Sequence, residues 1–331
     1  MRCKMPTLDI IRQPIASELE EFDKFVAKEF ESANPLVKTM LDDALSSRGK
    51  AIRPIIVMLC AGLNSSTGVI GRRTWIAAMM VEMIHVASLI HDDVLDESMA
   101  RRGRPSLNAK WQSKRAVLIG DYILARNINL ALSSGQFDLS THIFKAIAQL
   151  CEGEIIQDDC ARRQAITREE YLSIIGKKTA SLISISASAG AMSAGADHKK
   201  IELMRRFGEA IGMAFQIQDD ILDYSPNSKT GKPTFNDLRE GKITLPLLSV
   251  MEDATDELRA EINTLIGECH NSDEAINRVA RIVEQQGGVA FAQEVMNAYI
   301  LRATEILAEY EEGEFRTALA NLCAFITQRD R

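Results

Sequence analysis

Proline is missing from two long parts of the chain, and this constrains the fold more than any other feature. None of the eight prolines lies between Ser106 and Ser225, and none follows Pro246. Proline disrupts helix interiors, whereas the Ala, Leu, Ile, Met, Glu and Lys that dominate these stretches favour them. No alternating strand pattern competes. The sequence therefore predicts long, uninterrupted helices and an all-α fold.

Length and composition favour a single domain over residues 1–331, a large helical bundle around a central apolar cavity. The length alone would allow two domains, but no Pro-, Gly- or Ser-rich linker divides the chain. Hydrophobic residues make up 46% and aromatic residues only 5%, so a closely packed aliphatic core is expected. Helices are predicted over residues 17–31, 35–46, 55–63, 74 into the first acidic cluster, 115–133, 139–159, 168–195, 198–224 and within 243–327.

Charge and cysteine usage exclude several function classes. A net charge of −7 and a pI near 5.4 argue against a general nucleic-acid partner. The six cysteines show no Cys-x-x-Cys spacing, so neither a zinc site nor a disulfide framework is indicated. We find no apolar signal core and no apolar run near the roughly 18 residues that span a membrane. A soluble, cytoplasmic protein without a transmembrane segment is expected.

Two acidic clusters repeat the same spacing at the ends of apolar segments. The first is Asp92, Asp93 and Asp96, and the second is Asp219, Asp220 and Asp223. At about 100° per residue, each triplet lies on one helix face. One triplet alone would also suit a helix N-terminal turn or a salt-bridged surface. Two in apolar surroundings indicate a cage for divalent metal ions, because clustered carboxylates need cations.

Basic residues lie near both clusters. Lys50 and Arg53 precede a helix that begins near Pro54, where free N–H groups favour an anion. Taken alone, this segment could be an ordinary basic loop. His85, two helical turns before Asp92, is either a core histidine or a ligand for a substrate phosphate.

Further cations flank the acids. Arg101 and Arg102 follow the first cluster, and guanidinium groups match phosphate oxygens well. Lys178 lies in the predicted helix 168–195, whose run of small residues indicates a close helix contact. Lys232 and Lys242 flank the polar loop 225–242, which could act as a lid. A charged mouth above apolar helices fits a diphosphate with a hydrocarbon tail, and a dry wall would let a carbocation persist.

These motifs resemble the trans-type polyprenyl diphosphate synthases over nearly the whole chain. Asp92-Asp93-Val94-Leu95-Asp96 with Arg101-Arg102-Gly103 is similar to the first aspartate-rich motif of that family. Phe215-Gln216 leading to Asp219-Asp220-Ile221-Leu222-Asp223 is similar to the second, and Gly49-Lys50 with Arg53-Pro54 is similar to the isopentenyl diphosphate loop. The resemblance implies the isoprenoid synthase type I fold, prenyltransferase activity, three Mg²⁺ ions per active site and a homodimer.

The resemblance also implies roles for individual residues. Isopentenyl diphosphate would be held by Lys50, Arg53, His85 and Arg102. The allylic diphosphate would be held by Arg101, Lys178, Lys232 and Lys242. The main Mg²⁺ ligands would be Asp92, Asp93, Asp96 and Asp219, with Asp220 and Asp223 helping directly or through water. Thr179 and Gln216 would face the developing cation, and the released diphosphate would accept the proton.

Three positions depart from the family pattern. Arg48 and Ala51 occupy positions where the basic loop often has Gly and Arg, and Phe235 replaces a usual Gly in the lid. None is assigned to metal or phosphate, so activity is still expected, while the geometry of the lid stays open.

Side chains one turn before Asp92 should control product length, because the growing tail runs beside the first acidic helix. Ala87 and Ser88 are small there, whereas short-chain members of the family place an aromatic residue, and Ile84 and Met80 would line the next turns. The terminal Gln-Arg-Asp-Arg also resembles octaprenyl synthases. We predict a product of about eight isoprene units or more, a quinone side-chain precursor handed to membrane enzymes.

Other readings compete with this one. A farnesyl or geranylgeranyl diphosphate synthase would differ only in product length. A subunit of a heteromeric synthase typically lacks one or both acidic clusters. A class I terpene cyclase usually has a different second metal motif, and a structural helical protein would leave the doubled acids unexplained.

Overall fold

The computed structural model describes residues 6–46, 49–101, 103–163, 165–224 and 235–328. The described residues are overwhelmingly helical, which confirms the predicted all-α class. Their strands are the two-residue segments β1 (Ala100–Arg101) and β2 (Arg104–Pro105), paired antiparallel with Arg101 opposite Arg104. This hairpin directly follows the first acidic cluster.

The helices run from one end of the described chain to the other. The first part contains α1 (Leu8–Arg12), a 3₁₀ turn (Gln13–Ile15), α2 (Ala16–Glu29), α3 (Pro35–Ser46), α4 (Ile52–Asn64), α5 (Arg72–Leu95), α6 (Leu107–Trp111), α7 (Ser113–Ser133), α8 (Phe137–Ile143) and α9 (Lys145–Arg163). The second part contains α10 (Arg168–Ile175), α11 (Ser181–Ser193), α12 (His198–Asp223), α13 (Asn236–Arg239), α14 (Leu245–Asp253), α15 (Asp256–Glu268), α16 (Asp273–Gln285), α17 (Gly288–Ala308) and α18 (Glu314–Thr327).

A π-helical segment, Gly176–Ala180, joins α10 to α11. The predicted helix 168–195 is therefore interrupted by one wider turn, although it does begin with the predicted capping box of Thr167 and Glu170. A π turn inserts an extra residue and changes the direction of the side chains that follow it. The predicted helix 139–159 is likewise divided, into α8 and α9.

Helices α4, α5, α11 and α12 form the centre of the bundle. α11 packs against both α4 and α12, and α5 packs against α4, α7 and α11. Nearly every residue of α4 and α11 is buried, as expected for helices that are apolar on all sides. A buried hydrogen bond from Asn127 Nδ2 to the Met80 carbonyl (2.9 Å) ties α7 to α5.

Among the described residues, α5 is the one helix long and apolar enough to cross a membrane. This judgement rests on length and composition alone, and 72% of its most apolar window is buried inside the fold. Its apolar surface is thus used by the core of the bundle.

Glycines bring α11 and α12 into close contact, which confirms the predicted role of the small-residue run. A Cβ atom added at Gly208 of α12 would lie 2.7 Å from both the Ile183 carbonyl oxygen and the Ser184 Cα. A Cβ added at Gly212 would lie 2.6 Å from the Cα of Ala180. These backbone contacts fix α12, and the acids at its end, relative to the π segment.

Replacing Gly208 with alanine is expected to lower the free energy of unfolding by about 1 to 3 kcal/mol, because the added methyl meets backbone that cannot move aside cheaply. Gly267→Ala is the matched control: it lies within α15 and an added Cβ meets nothing within 4 Å. That change should stabilise by about 0.5 to 1 kcal/mol through helix propensity. Urea unfolding of both variants measures the difference, and equal effects would contradict the packing argument.

Candidate active site

Both acidic clusters lie at the C-terminal ends of long helices. Asp92 and Asp93 are in the last turn of α5 and Asp96 is its C-cap residue, while the second cluster ends α12. The C-terminal end of a helix carries partial negative charge, so acids there are unfavourable without cations. Helix stability does not explain this placement, whereas cation binding does.

Asp92 shows the electrostatic cost of the arrangement. Its pKa is raised to about 6, chiefly by burial and also by the carboxylates of Glu154 and Asp96, while Lys178 and Arg101 act to lower it. The excess of negative charge fits a divalent cation, and carboxylate oxygens are the ligands that Mg²⁺ takes in proteins.

Asp93 and Arg101 are partners in this structure. Arg101 Nε lies 2.8 Å from Asp93 Oδ1, and the aspartate is 4% exposed. Sequence reasoning assigned Asp93 to metal and Arg101 to diphosphate. Their ion pair instead ties the β1–β2 hairpin to the end of α5, and both assignments stay predictions.

The π segment carries Lys178 and Thr179 towards α9. Lys178 forms an ion pair with Glu154 and donates a hydrogen bond to Gln157 Oε1 (2.9 Å). α9 approaches this closely because Gly153 has no side chain: an added Cβ would lie 2.7 Å from Lys178 Cγ. The ammonium group is held at the site before any substrate arrives.

Two adjoining cavities bring many of the predicted site residues together. The first, of about 190 Å³, is lined by Lys178, Thr179, Gln216, Asp220 and Lys242. The second, of about 470 Å³, is lined by Asp96 and also by Lys242. Glu154 lines the second cavity and Gln157 lines both. Two of the predicted metal ligands, two of the predicted diphosphate-binding lysines and both residues predicted to face a carbocation thus line these adjoining cavities.

Asp220 and Asp223 have protein partners. Asp220 accepts hydrogen bonds from the Tyr171 hydroxyl (2.6 Å) and from Gln216 Nε2 (3.0 Å). Asp223 accepts from the backbone N–H groups of Asn236 (3.0 Å) and Asp237 (3.1 Å), so it anchors α13 to the end of α12. Their predicted role as metal ligands stays a prediction, and each already has a structural function.

Asp237 adds a carboxylate beside the second cluster. Burial raises its pKa, and the neighbouring carboxylates of Asp220 and Asp223 raise it further, while Lys242 opposes them. Lys242 itself pairs with Glu240 at 2.6 Å. The end of α12 therefore has a further buried acid beside it, whose raised pKa favours the neutral form.

Two of the departures from the family pattern fall where the backbone is left-handed. Ala51 has φ 49° and Phe235 has φ 61°, a region that side chains other than glycine adopt at a cost. A glycine, which the family resemblance led us to expect at position 235, would adopt this conformation without that cost. The ring of Phe235 packs edge-on against Tyr224, with centroids 6.0 Å apart, which offsets part of the strain.

The residues predicted for isopentenyl diphosphate lie at the start of α4 and along α5. Arg53 is half-buried in the first turn of α4, and the ammonium of Lys50 lies 5.6 Å from the centre of the Phe325 ring of α18. His85 is half-buried on α5, with its carbonyl accepting a hydrogen bond from Ser88 (2.9 Å). None of the three lines either cavity.

The residues predicted to control product length lie inside the bundle. Met80, Ile84 and Ala87 are at most 2% exposed, and Ser88 is half-buried. They descend α5 from the acidic end at helical spacing, as a tail-binding wall requires. Neither cavity described above reaches them.

Some predicted residues lie outside the described part of the chain. These are Arg102, Lys232, Arg48 and the terminal residues 329–331, together with most of the predicted lid, 225–234.

Sequence reasoning missed several residues that the fold places at the site. Glu154 and Gln157 are three apart on α9 and face Lys178, and Tyr171 bonds Asp220. Tyr171 precedes Lys178 by seven residues, a spacing that would place both on one face of a regular helix. The π segment, which contains Lys178, shifts the helical phase, so this spacing does not give their relative directions.

Among the described residues, no three His, Cys, Asp or Glu side chains converge closely enough to hold a metal ion by themselves. Asp92, Asp96 and Asp219 nevertheless offer the right donors at the ends of two helices. The arrangement fits cations whose coordination is completed by phosphate oxygens and water.

Proteins of one family are similar to this chain over nearly its whole length. The polyprenyl synthetase family profile matches residues 34–283. An all-trans-nonaprenyl-diphosphate synthase (geranyl-diphosphate specific) of Rhodobacter capsulatus is 34% identical over 96% of this chain and 97% of its own. Heptaprenyl diphosphate synthase component 2 of Geobacillus stearothermophilus is 33% identical, over 96% of each chain. A Caulobacter crescentus polyprenyl synthase complexed with calcium and isoprenyl diphosphate has a TM-score of 0.91 at 28% identity, covering 99% of this chain and 100% of that one.

The chain belongs to the polyprenyl synthetase family. This confirms the resemblance, the isoprenoid synthase fold and the predicted enzyme class, a prenyltransferase.

Proposed function

We propose that the enzyme condenses isopentenyl diphosphate head to tail onto an allylic diphosphate, with farnesyl diphosphate as primer. The product is an all-trans polyprenyl diphosphate of about eight units or more, used as a quinone side chain. The observation that carries this proposal is that one cavity brings Asp220 of the second acidic cluster together with Lys178, Thr179 and Gln216. The adjoining cavity, which Lys242 also lines, contains Asp96 of the first cluster.

Binding would exploit charges that are already held in place. Lys178 and Lys242 are paired with Glu154 and Glu240, and a diphosphate offers each lysine stronger acceptors. Asp92, Asp96 and Asp219 would hold Mg²⁺, in the three-ion arrangement that the family resemblance implies. When bound, Mg²⁺ neutralises the diphosphate and stabilises it as a leaving group.

Thr179 and Gln216 would face the carbon that loses the diphosphate. Thr179 Oγ1 donates to Gln216 Oε1 (2.7 Å), so both oxygens lie together at the cavity wall. Oxygen dipoles fixed beside developing positive charge stabilise it without reorganisation. The double bond of isopentenyl diphosphate then attacks the allylic carbon, and the released diphosphate takes the proton lost from the adjacent carbon.

Replacing Asp92 or Asp219 with asparagine is expected to lower turnover by about three orders of magnitude or more, because each removes a charged ligand. The assay supplies Mg²⁺, labelled isopentenyl diphosphate and either geranyl or farnesyl diphosphate, and mass spectrometry reads product length. Circular dichroism should show unchanged helical content.

Asp42→Asn is the matched control, because Asp42 is an exposed acid of α3 that lies 3.7 Å from Lys38. It should leave turnover unchanged. Near-normal turnover in either active-site variant would refute the proposed metal site.

Product length follows from the wall of α5. Ser88 and Ala87 are small side chains one turn before Asp92, and each further turn is about 5.4 Å, close to one isoprene unit. Ile84 and Met80 continue the same buried wall. A tail can extend along this face only if no bulky side chain blocks its entrance.

Ser88→Phe is therefore expected to shorten the product, moving the mass-spectrometric maximum towards fifteen or twenty carbons with turnover retained. Ser133→Phe, at an exposed position of α7, serves as the control and should leave length unchanged. An unaltered product from Ser88→Phe would contradict the tail path.

A homodimer through the outer face of α7 accounts for an exposed apolar stripe. Val117, Leu118, Ile128 and Leu132 recur at helical spacing and are 37% to 57% exposed. Exposed apolar side chains that share one helix face indicate an interaction site.

The paired substitution Leu118→Asp and Leu132→Asp is expected to convert a dimer into a monomer, measured by light scattering after size exclusion. Leu301→Asp, at an equally exposed leucine of α17 (59%), should leave the dimer intact. A monomeric wild-type protein, or a doubly substituted protein that stays dimeric, would contradict this interface.

A second candidate is one catalytic subunit of a heteromeric synthase. It is favoured by the similarity to the component 2 protein of G. stearothermophilus. The same assay separates the two, since a subunit of this kind would incorporate no label alone. We further propose a cytoplasmic location, supported by the free thiols among the described residues and the net charge of −7.

A further inference from the structure

A chain of hydrogen bonds joins four side chains across the first cavity. The Tyr171 hydroxyl donates to Asp220 Oδ2 (2.6 Å), and Gln216 Nε2 donates to Asp220 Oδ1 (3.0 Å). Thr179 Oγ1 in turn donates to Gln216 Oε1 (2.7 Å). The members come from α10, α12 and the π segment, and all four line the cavity. Tyr171 is the one member for which the mechanism above has no role.

The direction of every bond follows from the chemistry of its members. A carboxylate only accepts, so Asp220 requires the NH₂ side of the Gln216 amide to face it. The amide oxygen of Gln216 must then face Thr179 and accept the hydrogen bond that the Thr179 hydroxyl donates. The remaining lone pairs of Thr179 and Gln216 are left for the cavity. The hydrogen bond from the Tyr171 hydroxyl therefore supports, through Asp220, the orientation of the Gln216 and Thr179 side-chain oxygens.

Tyr171 is built into the fold for this contact. Its side chain is 3% exposed and Asp220 is 2% exposed, so water does not substitute readily for the hydroxyl. A buried carboxylate needs its hydrogen bonds, and removing one partner leaves it free to turn away from the other. Asp220 then loses its hold on the Gln216 amide, which can flip.

We propose that Tyr171 is a positioning residue for prenyl transfer. It acts through Asp220 to set the Gln216 amide and the Thr179 hydroxyl towards the allylic carbon that becomes positive. The inference rests on the proposed function. It also gives Asp220 an orienting role that differs from the metal-binding role of its neighbour Asp219.

The test is Tyr171→Phe, which keeps the ring and removes the hydroxyl. We expect kcat to fall about tenfold to a hundredfold, the size of one hydrogen bond to a charged group, while KM for both substrates stays within about twofold. A role confined to folding or binding would not separate kcat from KM in this way. Tyr310→Phe is the control, because it removes a hydroxyl 3.3 Å from Asn64 on a different part of the bundle and should leave kcat unchanged.

A double-mutant cycle tests the route. In a Gln216→Ala background, Tyr171→Phe should cause no further loss, because the group through which it acts is gone. Additive losses, or normal kcat in Tyr171→Phe, would overturn the inference. An inactive wild-type enzyme would instead overturn the proposed function.

Asp220→Asn covers the case in which Tyr171→Phe folds poorly. The amide can accept from Tyr171 or from Gln216, but it cannot offer two acceptor oxygens. This variant should reproduce the fall in kcat with unchanged KM. A rise in KM with normal kcat would count against the inference, and melting temperatures report folding for every variant.

Discussion

The structure depends on one electrostatic constraint: carboxylates are clustered at the C-terminal ends of two largely buried helices. Each helix end is already negative, and the acids add charge that Lys178 and Arg101 offset only in part at Asp92, whose pKa is raised to about 6. A bundle selected for stability alone would place lysine or arginine there. The core that surrounds α5 and α12 thus holds charge in an unfavourable position, and binding of cations with a diphosphate relieves it.

Close backbone contacts make this arrangement precise. Gly208 and Gly212 let α12 lie against α11 and the π segment, and Gly153 lets α9 reach Lys178. Because Gly208 and Gly212 contact backbone atoms, they leave little freedom for the residues that follow. The π turn then directs Lys178 to α9 and Thr179 to Gln216 of α12. The spacing between the helices therefore determines both the packing of the core and the positions of Lys178 and Thr179 at the site.

The sequence predicted helices and acids well because their signals are local. Long proline-free stretches predicted α7 to α12, and the paired spacing of Asp92 and Asp219 with their neighbours located the site. Prediction was weaker where partners come from distant elements. The Asp93–Arg101 pair, the bonds of Asp223 to α13 and the Tyr171–Asp220 contact depend on tertiary approach. The π segment could not be predicted because one added residue per turn leaves no mark in composition.

Acids that look equivalent in a repeated motif have different surroundings in the fold. Asp96 lines the second cavity and the pKa of Asp92 is raised by burial and by neighbouring carboxylates, whereas Asp93 pairs with Arg101. In the second cluster, Asp223 anchors α13. Asp220 accepts a hydrogen bond from Tyr171 at one carboxylate oxygen and from Gln216 at the other. Metal binding needs carboxylate oxygens that can coordinate a cation together with phosphate oxygens. Orientation needs carboxylate oxygens that are held in hydrogen bonds to protein groups. A motif of three acids per helix can therefore hold cations, anchor the structure beside them and orient the groups that meet the carbocation.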